Sequence, residues 1–148
     1  MASDVPSELP LAALLRAARS AVGRAIRSAL EGAGYDDVPA NGPYVISATS
    51  VAGVPLAVII ERLGLSKQAA GHLVDLLVLR GYLERQVDPE DRRRLVVSPT
   101  ERGAAAALVI RQVADLLEAR VAAELGDADL LVTRRTLECL ATMANFDA

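Results

Sequence analysis

Leu63–Gly103, LGLSKQAAGHLVDLLVLRGYLERQVDPEDRRRLVVSPTERG, is the stretch that decides the fold. Ser66 precedes an apolar-periodic run, and its hydroxyl is of the kind that accepts from an unpaired N–H of a first helical turn. A helix is therefore predicted from Ser66 to about Arg80, with Leu65 set to pack back on its first turn. Ala69, Ala70, Leu73, Leu76 and Leu77 form its inward stripe, which leaves Lys67, Gln68, Gly71 and Asp75 outward and His72 near that edge. Just upstream, Leu56–Leu63 reads as a short helix ended by Gly64, and two helices joined by about three residues containing a glycine make a helix-turn-helix. Beyond Gly81, Tyr82–Val87 alternates as a strand does, and Arg94–Ser98 reads as its return. Between them Asp88–Arg93 is a loop opened by an Asp-Pro turn signal. Helix-turn-helix followed by a hairpin is a winged helix.

The flanks read as helix. Leu11, Leu14, Leu15, Ala18, Val22, Ala25, Ile26 and Ala29 recur at steps of three and four and predict a helix from about Pro10 to Glu31, halted by Gly32 and Gly34. Tyr44–Val51 is rich in β-branched residues but is read as a helix starting near Asn41, a cap candidate, because Pro43 cannot sit deep in one. Thr100 caps a long helix to about Leu125, with Ala107, Ile110, Val113, Ala114, Leu117 and Val121 on one side. Gly126 breaks it, and Asp127 or Asp129 starts a last helix carrying Leu130, Leu131, Leu137, Leu140 and Ala141. No internal repeat interrupts this order. The expectation is a mainly α chain, 1–148, with a winged helix-turn-helix lobe at 53–99 and its small antiparallel hairpin wing, and dimerisation helices at 6–34 and 104–148.

Composition narrows the function. The chain has 148 residues, enough for one domain with a core. It is 52% hydrophobic, yet a charge breaks every apolar stretch before the roughly 20 residues that a membrane span needs. The start, MASDVPSELP, lacks the basic and apolar regions of a signal peptide, and the single cysteine, Cys139, rules out an intrachain disulfide. A cytoplasmic location is the expectation. Aliphatics dominate while aromatics are only 3%, so core and excess apolar surface are both helical, and the excess points to a second chain.

Each part of a winged helix has a physical task on DNA. A helix fits the major groove, where base edges carry distinct donor and acceptor patterns and its N-terminal residues reach deepest. Ser66, Lys67, Gln68, Gly71 and His72 are those residues here. Gln68 suits the adenine edge, Lys67 suits guanine or phosphate, and Gly71 permits close approach. At the hairpin tip, Arg92, Arg93 and Arg94 suit a narrow minor groove, which concentrates negative potential and favours the weakly hydrated guanidinium. Asp91 and its acidic neighbours orient the arginines and limit indiscriminate attraction. From Ser66 to Arg94, six basic residues face five acidic ones, a net of only +1 in a chain of net −3.

The quoted stretch resembles the helix-turn-helix and wing of the MarR family of bacterial transcription regulators. That family's signature is an Asp-x-Arg in the wing, then a hydrophobic strand and a Leu-Thr-x-x-Gly opening the next helix. Asp91 with Arg93 stands in the first part and Thr100 with Gly103 in the second. The resemblance is specific from about Gly53 to Gly103. It implies a homodimer whose first and last helices intertwine, two lobes on a palindromic double-stranded DNA operator, Arg93 in the minor groove and Asp91 bracing it. It also implies repression relieved by a small, often aromatic or phenolic, ligand bound between the dimerisation and DNA-binding parts. Pro99 departs from the pattern by replacing a leucine, and Leu56, Ala57 and Val58 replace a polar helix start.

Arg16, Tyr35 and Tyr44 are the polar-tipped candidates for the ligand cleft, expected between the first, second and long fifth helices. Oxidant-sensing members use a first-helix cysteine, which this chain lacks, and Cys139 is expected to pack as a buried side chain beside Leu140. With His72 the only histidine, neither a histidine metal site nor a Ser-His-Asp triad has support. No phosphate loop or paired carboxylates appear, so no enzyme activity, metal or cofactor is expected. The competing reading is a helical dimer that uses its winged helix for protein contacts without specific DNA binding.

Overall fold

The computed structural model describes residues 8–50, 54–55, 57–58, 61, 64–88, 90–92 and 95–143. Along the chain they form α1 (Leu11–Gly32), α2 (Gly42–Thr49), β1 (Val54–Pro55), α3 (Lys67–Leu79), β2 (Leu83–Val87), β3 (Leu95–Pro99), α4 (Glu101–Leu125) and α5 (Asp127–Thr142).

Local chemistry sets most boundaries. Ser66 Oγ accepts from the Ala69 N–H at 3.2 Å, and Thr100 Oγ1 accepts from the Gly103 N–H at 3.0 Å, so α3 and α4 begin where the sequence placed their caps. Both α1 and α3 close on a left-handed glycine. Tyr35 N–H reaches Leu30 O and Gly34 N–H reaches Glu31 O, while Tyr82 N–H reaches Leu77 O and Gly81 N–H reaches Val78 O. Gly34 at φ 86° and Gly81 at φ 75° occupy the position that such a double-bonded terminus reserves for glycine.

The sheet has three strands in the order β1-β3-β2, all antiparallel. Leu83 opposes Pro99 and Val87 opposes Leu95 in the hairpin, and Val54 opposes Val97 on the other edge. β1 was not foreseen. Helix propensity along Tyr44–Val51 carries the chain only to Thr49, and the following Val-Pro pair joins β3 at an edge, where a proline's missing N–H is tolerated. Pro99 similarly ends β3, one residue beyond the expected Ser98, where the helix cap takes over.

Val45, Ile46, Val74, Leu77, Tyr82, Leu83, Val97 and Ala106 are buried in one cluster, to which α1 adds Ile26 and Leu30 and α4 adds Ile110. Thr49 is the buried polar residue of this core, and its hydroxyl donates within its own helix to Val45 O or Ile46 O, each at 3.0 Å. The inward arc of α3 differs from the expected one. Ala70, Leu73, Val74 and Leu77 are buried, whereas Ala69 is exposed and Leu76 only half-buried. The helix is turned by about half of its 100° residue step, because α3 packs on α2 and β2 together rather than on one neighbour.

Two other expectations change. Asn41 does precede α2, but at φ 63° its side chain caps nothing and instead accepts from Arg19 at 3.1 Å. Cys139 is exposed rather than buried, since α5 packs along α4 and buries none of its own residues. Of the expected Leu56–Leu63 helix, Ala57, Val58 and Glu61 are helical and the rest lies outside the described residues. No helix among the described residues is long and apolar enough to cross a membrane.

Candidate DNA-binding face and ligand trough

The arc of α3 opposite the core carries Lys67, Gln68, His72 and Asp75, all exposed, with Gly71 half-buried between them. Positions 67, 68, 71, 72 and 75 fall on one side of a 3.6-residue helix, so a single face presents them together. A Cβ at Gly71 would meet nothing within 4 Å, so this face is open. Asp75 would repel a phosphate, but Arg85 on β2 pairs with it. That pair removes an anion from the exposed face and a cation from the wing, and it ties the helix to the hairpin. Arg80 is likewise committed, donating to the Asp37 carbonyl. Of the basic residues counted in the sequence, Lys67 and Arg92 remain as exposed cations among the described residues.

At the wing, Asp88 Oδ1 accepts from the Glu90 N–H at 2.8 Å, closing the Asp-Pro turn. Asp91 and Arg92 follow on the exposed tip. Arg93 and Arg94 lie outside the described residues. β2 buries only Leu83, and Glu84, Arg85, Gln86 and Val87 are exposed, so the hairpin projects beyond the core.

Behind this face lies a polar junction that the sequence reading missed. Tyr82 is fully buried, yet its hydroxyl donates to Asp37 Oδ1 and accepts from Arg102 at 3.0 Å. Arg102 also pairs with Asp37 at 2.8 Å, and its guanidinium stands 4.6 Å from the Tyr82 ring centroid. The Tyr82 hydrogen bond, with the Arg102 charge, holds the Asp37 carboxyl below its usual range. Burial, reinforced by the bond to Asp37, pushes the Tyr82 phenol up, and its bond to that phenol raises Arg102. The junction thus stays ionised at Asp37 and Arg102 and neutral at Tyr82. It joins the α1–α2 loop, the end of α3 and the start of α4. Gly103 makes the approach possible, for a Cβ there would stand 1.9 Å from the Tyr82 carbonyl oxygen. Contacts spanning 45 and 65 residues leave no local signal, and Gly103 was the one part of the junction visible as a motif.

On the other side of the α1–α2 loop runs a trough of about 400 Å³. Arg16, Tyr35 and Tyr44, the three ligand candidates, all line it. Its walls are α1, the loop and the start of α2. The long α4, expected as the third wall, contributes nothing. Arg19, Arg24 and Arg27 join Arg16 along α1, and Arg19 lies 5.9 Å from the Tyr44 ring centroid. Tyr35 packs edge-on against Tyr82, with ring centroids 6.2 Å apart, so the trough wall touches the junction directly. No cluster among the described residues could hold a metal ion.

Residues 37–94 match the model of the MarR family. No curated protein matches the chain in sequence. Among solved structures, CouR from Rhodococcus jostii RHA1 bound to p-coumaroyl-CoA is similar with a TM-score of 0.74 at 24% identity, over 95% of this chain and 100% of that one. The PcaV transcriptional regulator from Streptomyces coelicolor, in complex with its natural ligand, gives 0.71 at 21% identity over 98% and 100%. Streptococcus pneumoniae FabT in complex with DNA gives 0.73 at 17% identity over 88% and 92%. The shared fold therefore extends well beyond the matched segment.

Proposed function

We propose, for a chain that carries the MarR-family winged helix at residues 37–94 and the fold of that family around it, the role of a homodimeric, sequence-specific DNA-binding transcription regulator. The reading divides the chain into a DNA-binding lobe at 53–99 and dimerisation helices at 6–34 and 104–148. Lys67 and Gln68 address base edges in the major groove, Ser66, Gly71 and His72 flank them, and the arginines 92–94 take the adjoining minor groove with Asp91 bracing Arg93. The operator is a palindrome, and the protein represses until a small aromatic or phenolic ligand enters the trough beside Arg16, Tyr35 and Tyr44. FabT with DNA, and CouR and PcaV with ligands, give precedent on the same fold.

The observation that carries this reading is the exposed arc of α3, whose acid is already neutralised by Arg85. Relief follows from the loop that is both trough wall and junction. A ligand that displaces Tyr35 and Asp36 pulls on Asp37, and Asp37 holds Arg80 and Tyr82 at the end of the recognition helix.

Selection of bound duplexes from a random library tests this directly. The expected result is a palindrome with half-sites about 10 base pairs apart or a multiple of that, bound with a steep loss of affinity as salt rises. Arg93→Ala should then weaken binding by about tenfold, and Gln68→Ala should change base preference. If no duplex is retained at low salt, the winged helix serves protein contacts instead.

A further inference from the structure

Of the chain's 16 lysines and arginines, Lys67 alone is a lysine. Arginine fills every other such position. Lys67 is also the one lysine or arginine within α3, KQAAGHLVDLLVL, where it takes the first helical position, directly after the Ser66 cap. Arg80, just past the other end of the helix, is committed to the Asp37 carbonyl. The positive charge that α3 offers to DNA is therefore a single primary amine, repeated once in the proposed dimer.

The surroundings leave that amine free. Three and four residues further along, where a helical ion-pair partner would stand, are Ala70 and Gly71. The acid that α3 does carry, Asp75, is held by Arg85. Among the described residues none bonds to the Lys67 side chain. Gly64 and Gly71 flank it along the chain, and a Cβ at either would meet nothing within 4 Å, so the surface on both sides is low and open. The first turn of α3 also contains no acid to offset a cation at the positive end of the helix dipole. Loss of the charge therefore does not destabilise the helix. A lysine amine is an acyl acceptor, whereas the guanidinium that fills the other basic positions is always protonated and is not.

We propose that Lys67 is an acyl-acceptor site through which a small acyl phosphate, acetyl phosphate being the simplest, lowers the affinity of α3 for DNA. This rests on the reading of the exposed α3 arc as the DNA-binding face. The Nζ lone pair attacks the acyl carbonyl carbon and an N–C bond forms. The C–O bond to phosphate breaks, its electron pair leaves with the phosphate, and the nitrogen gives up a proton to water. The donor needs no pocket, because the amine already stands in solvent. The amide carries no charge, so each recognition helix loses its cation and the counterion release that a phosphate contact brings.

The full chain is treated with acetyl phosphate, with inorganic phosphate as the control, and followed by peptide mass spectrometry and by fluorescence anisotropy on a duplex from the selection. Acetyl groups should appear at Lys67, more slowly when the duplex is bound, and affinity should fall by about tenfold or more with a shallower salt dependence. Lys67→Gln, neutral as the amide is, should bind as weakly as the acetylated parent and ignore acetyl phosphate. Lys67→Arg should also ignore it, and because this variant retains the α-amino group, modification there is separated from modification at Lys67. An unmodified Lys67 in a chain that binds the duplex overturns the proposal, as does unchanged affinity after full acetylation or an equal loss in Lys67→Arg. Acetylation of Lys67 in a chain that retains no duplex at low salt leaves the acceptor standing and counts against the DNA-binding reading.

Discussion

Tyr82 and Leu131 are both large side chains, yet the first is fully buried and the second 57% exposed. The same contrast separates two regions. Between α2 and the first turns of α4, apolar residues close on one another, and from α1 the core takes Ile26 and Leu30, with Val22 packed against it. Along the N-terminal half of α1, the distal half of α4 and all of α5, helices form just as well but bury almost nothing. Leu11, Leu116, Leu125, Val132 and Leu137 all stay exposed. Helix formation and burial are thus separate achievements: caps and periodicity produce the first, and only a partner surface produces the second. The lobe has its partner within the chain, whereas the end helices leave exposed the apolar side chains that the proposed homodimer would cover.

The sharpest way to break that contrast is at the end helices. Leu131→Asp with Leu137→Asp removes two apolar side chains, each worth about 1.5–3 kcal/mol if buried between copies, and puts carboxylates in their place. Dimer association should weaken by about 100-fold or more, and sedimentation velocity should show monomers at concentrations where the parent is dimeric. A dimer that persists would mean the apolar face of α5 is not the interface. Next in size is Gly103→Ala, which probes the lobe instead. A methyl group 1.9 Å from a backbone oxygen must push α4 off β2, so chemical denaturation should register a loss of about 3 kcal/mol. An unchanged midpoint would show that the close approach is not rigid.

The same contrast explains what was legible in the sequence. Ser66, Thr100, Gly34 and Gly81 act through bonds spanning a few residues, so their helix ends could be read directly. Lys67, Gln68 and His72 fell on the outer face because helical periodicity alone puts them there. Val54–Pro55 could not be read as a strand, since a two-residue edge has no pattern and exists only because β3 lies beside it. Cys139 was misjudged for the complementary reason, as an apolar neighbourhood in sequence became a surface in the single chain. The junction lay furthest out of reach. Asp37 is an ordinary loop acid until the fold sets it against Tyr82 and Arg102.

That junction is where the two regions meet, and it yields the finer tests. Tyr82→Phe keeps the buried ring under Arg102 but deletes the hydroxyl shared by Asp37 and Arg102. The loss should be about 1.5 kcal/mol, the usual worth of a hydrogen bond to a charged group. Combining it with Asp37→Asn in a double-mutant cycle should give less than the sum, because both act on one bond, the first deleting its donor and the second the charge of its acceptor. A strictly additive pair would place Asp37 and Tyr82 in separate interactions.

Asp37→Asn alone should have the smallest effect at neutral pH, because its carboxylate is partly open to solvent and its pairing with Arg102 is screened. Its signature is pH dependence. The folded carboxyl titrates below its ordinary value of 3.8, chiefly through the Tyr82 hydroxyl and then the Arg102 charge. A group lowered in the folded state contributes stability above its unfolded pKa and loses it as pH falls through the folded one. The parent should therefore exceed Asp37→Asn in denaturation midpoint at pH 6 and approach it as the pH is lowered toward 3. Tyr82 has the opposite sign: raised in the folded state, it contributes below about pH 10 and loses that contribution in more alkaline solution. An offset between parent and Asp37→Asn that stays constant from pH 6 to 3 would mean that the charge on Asp37 does not help to bind the trough wall to the end of α3, and that the loop is held by the Arg80 contact to its backbone alone.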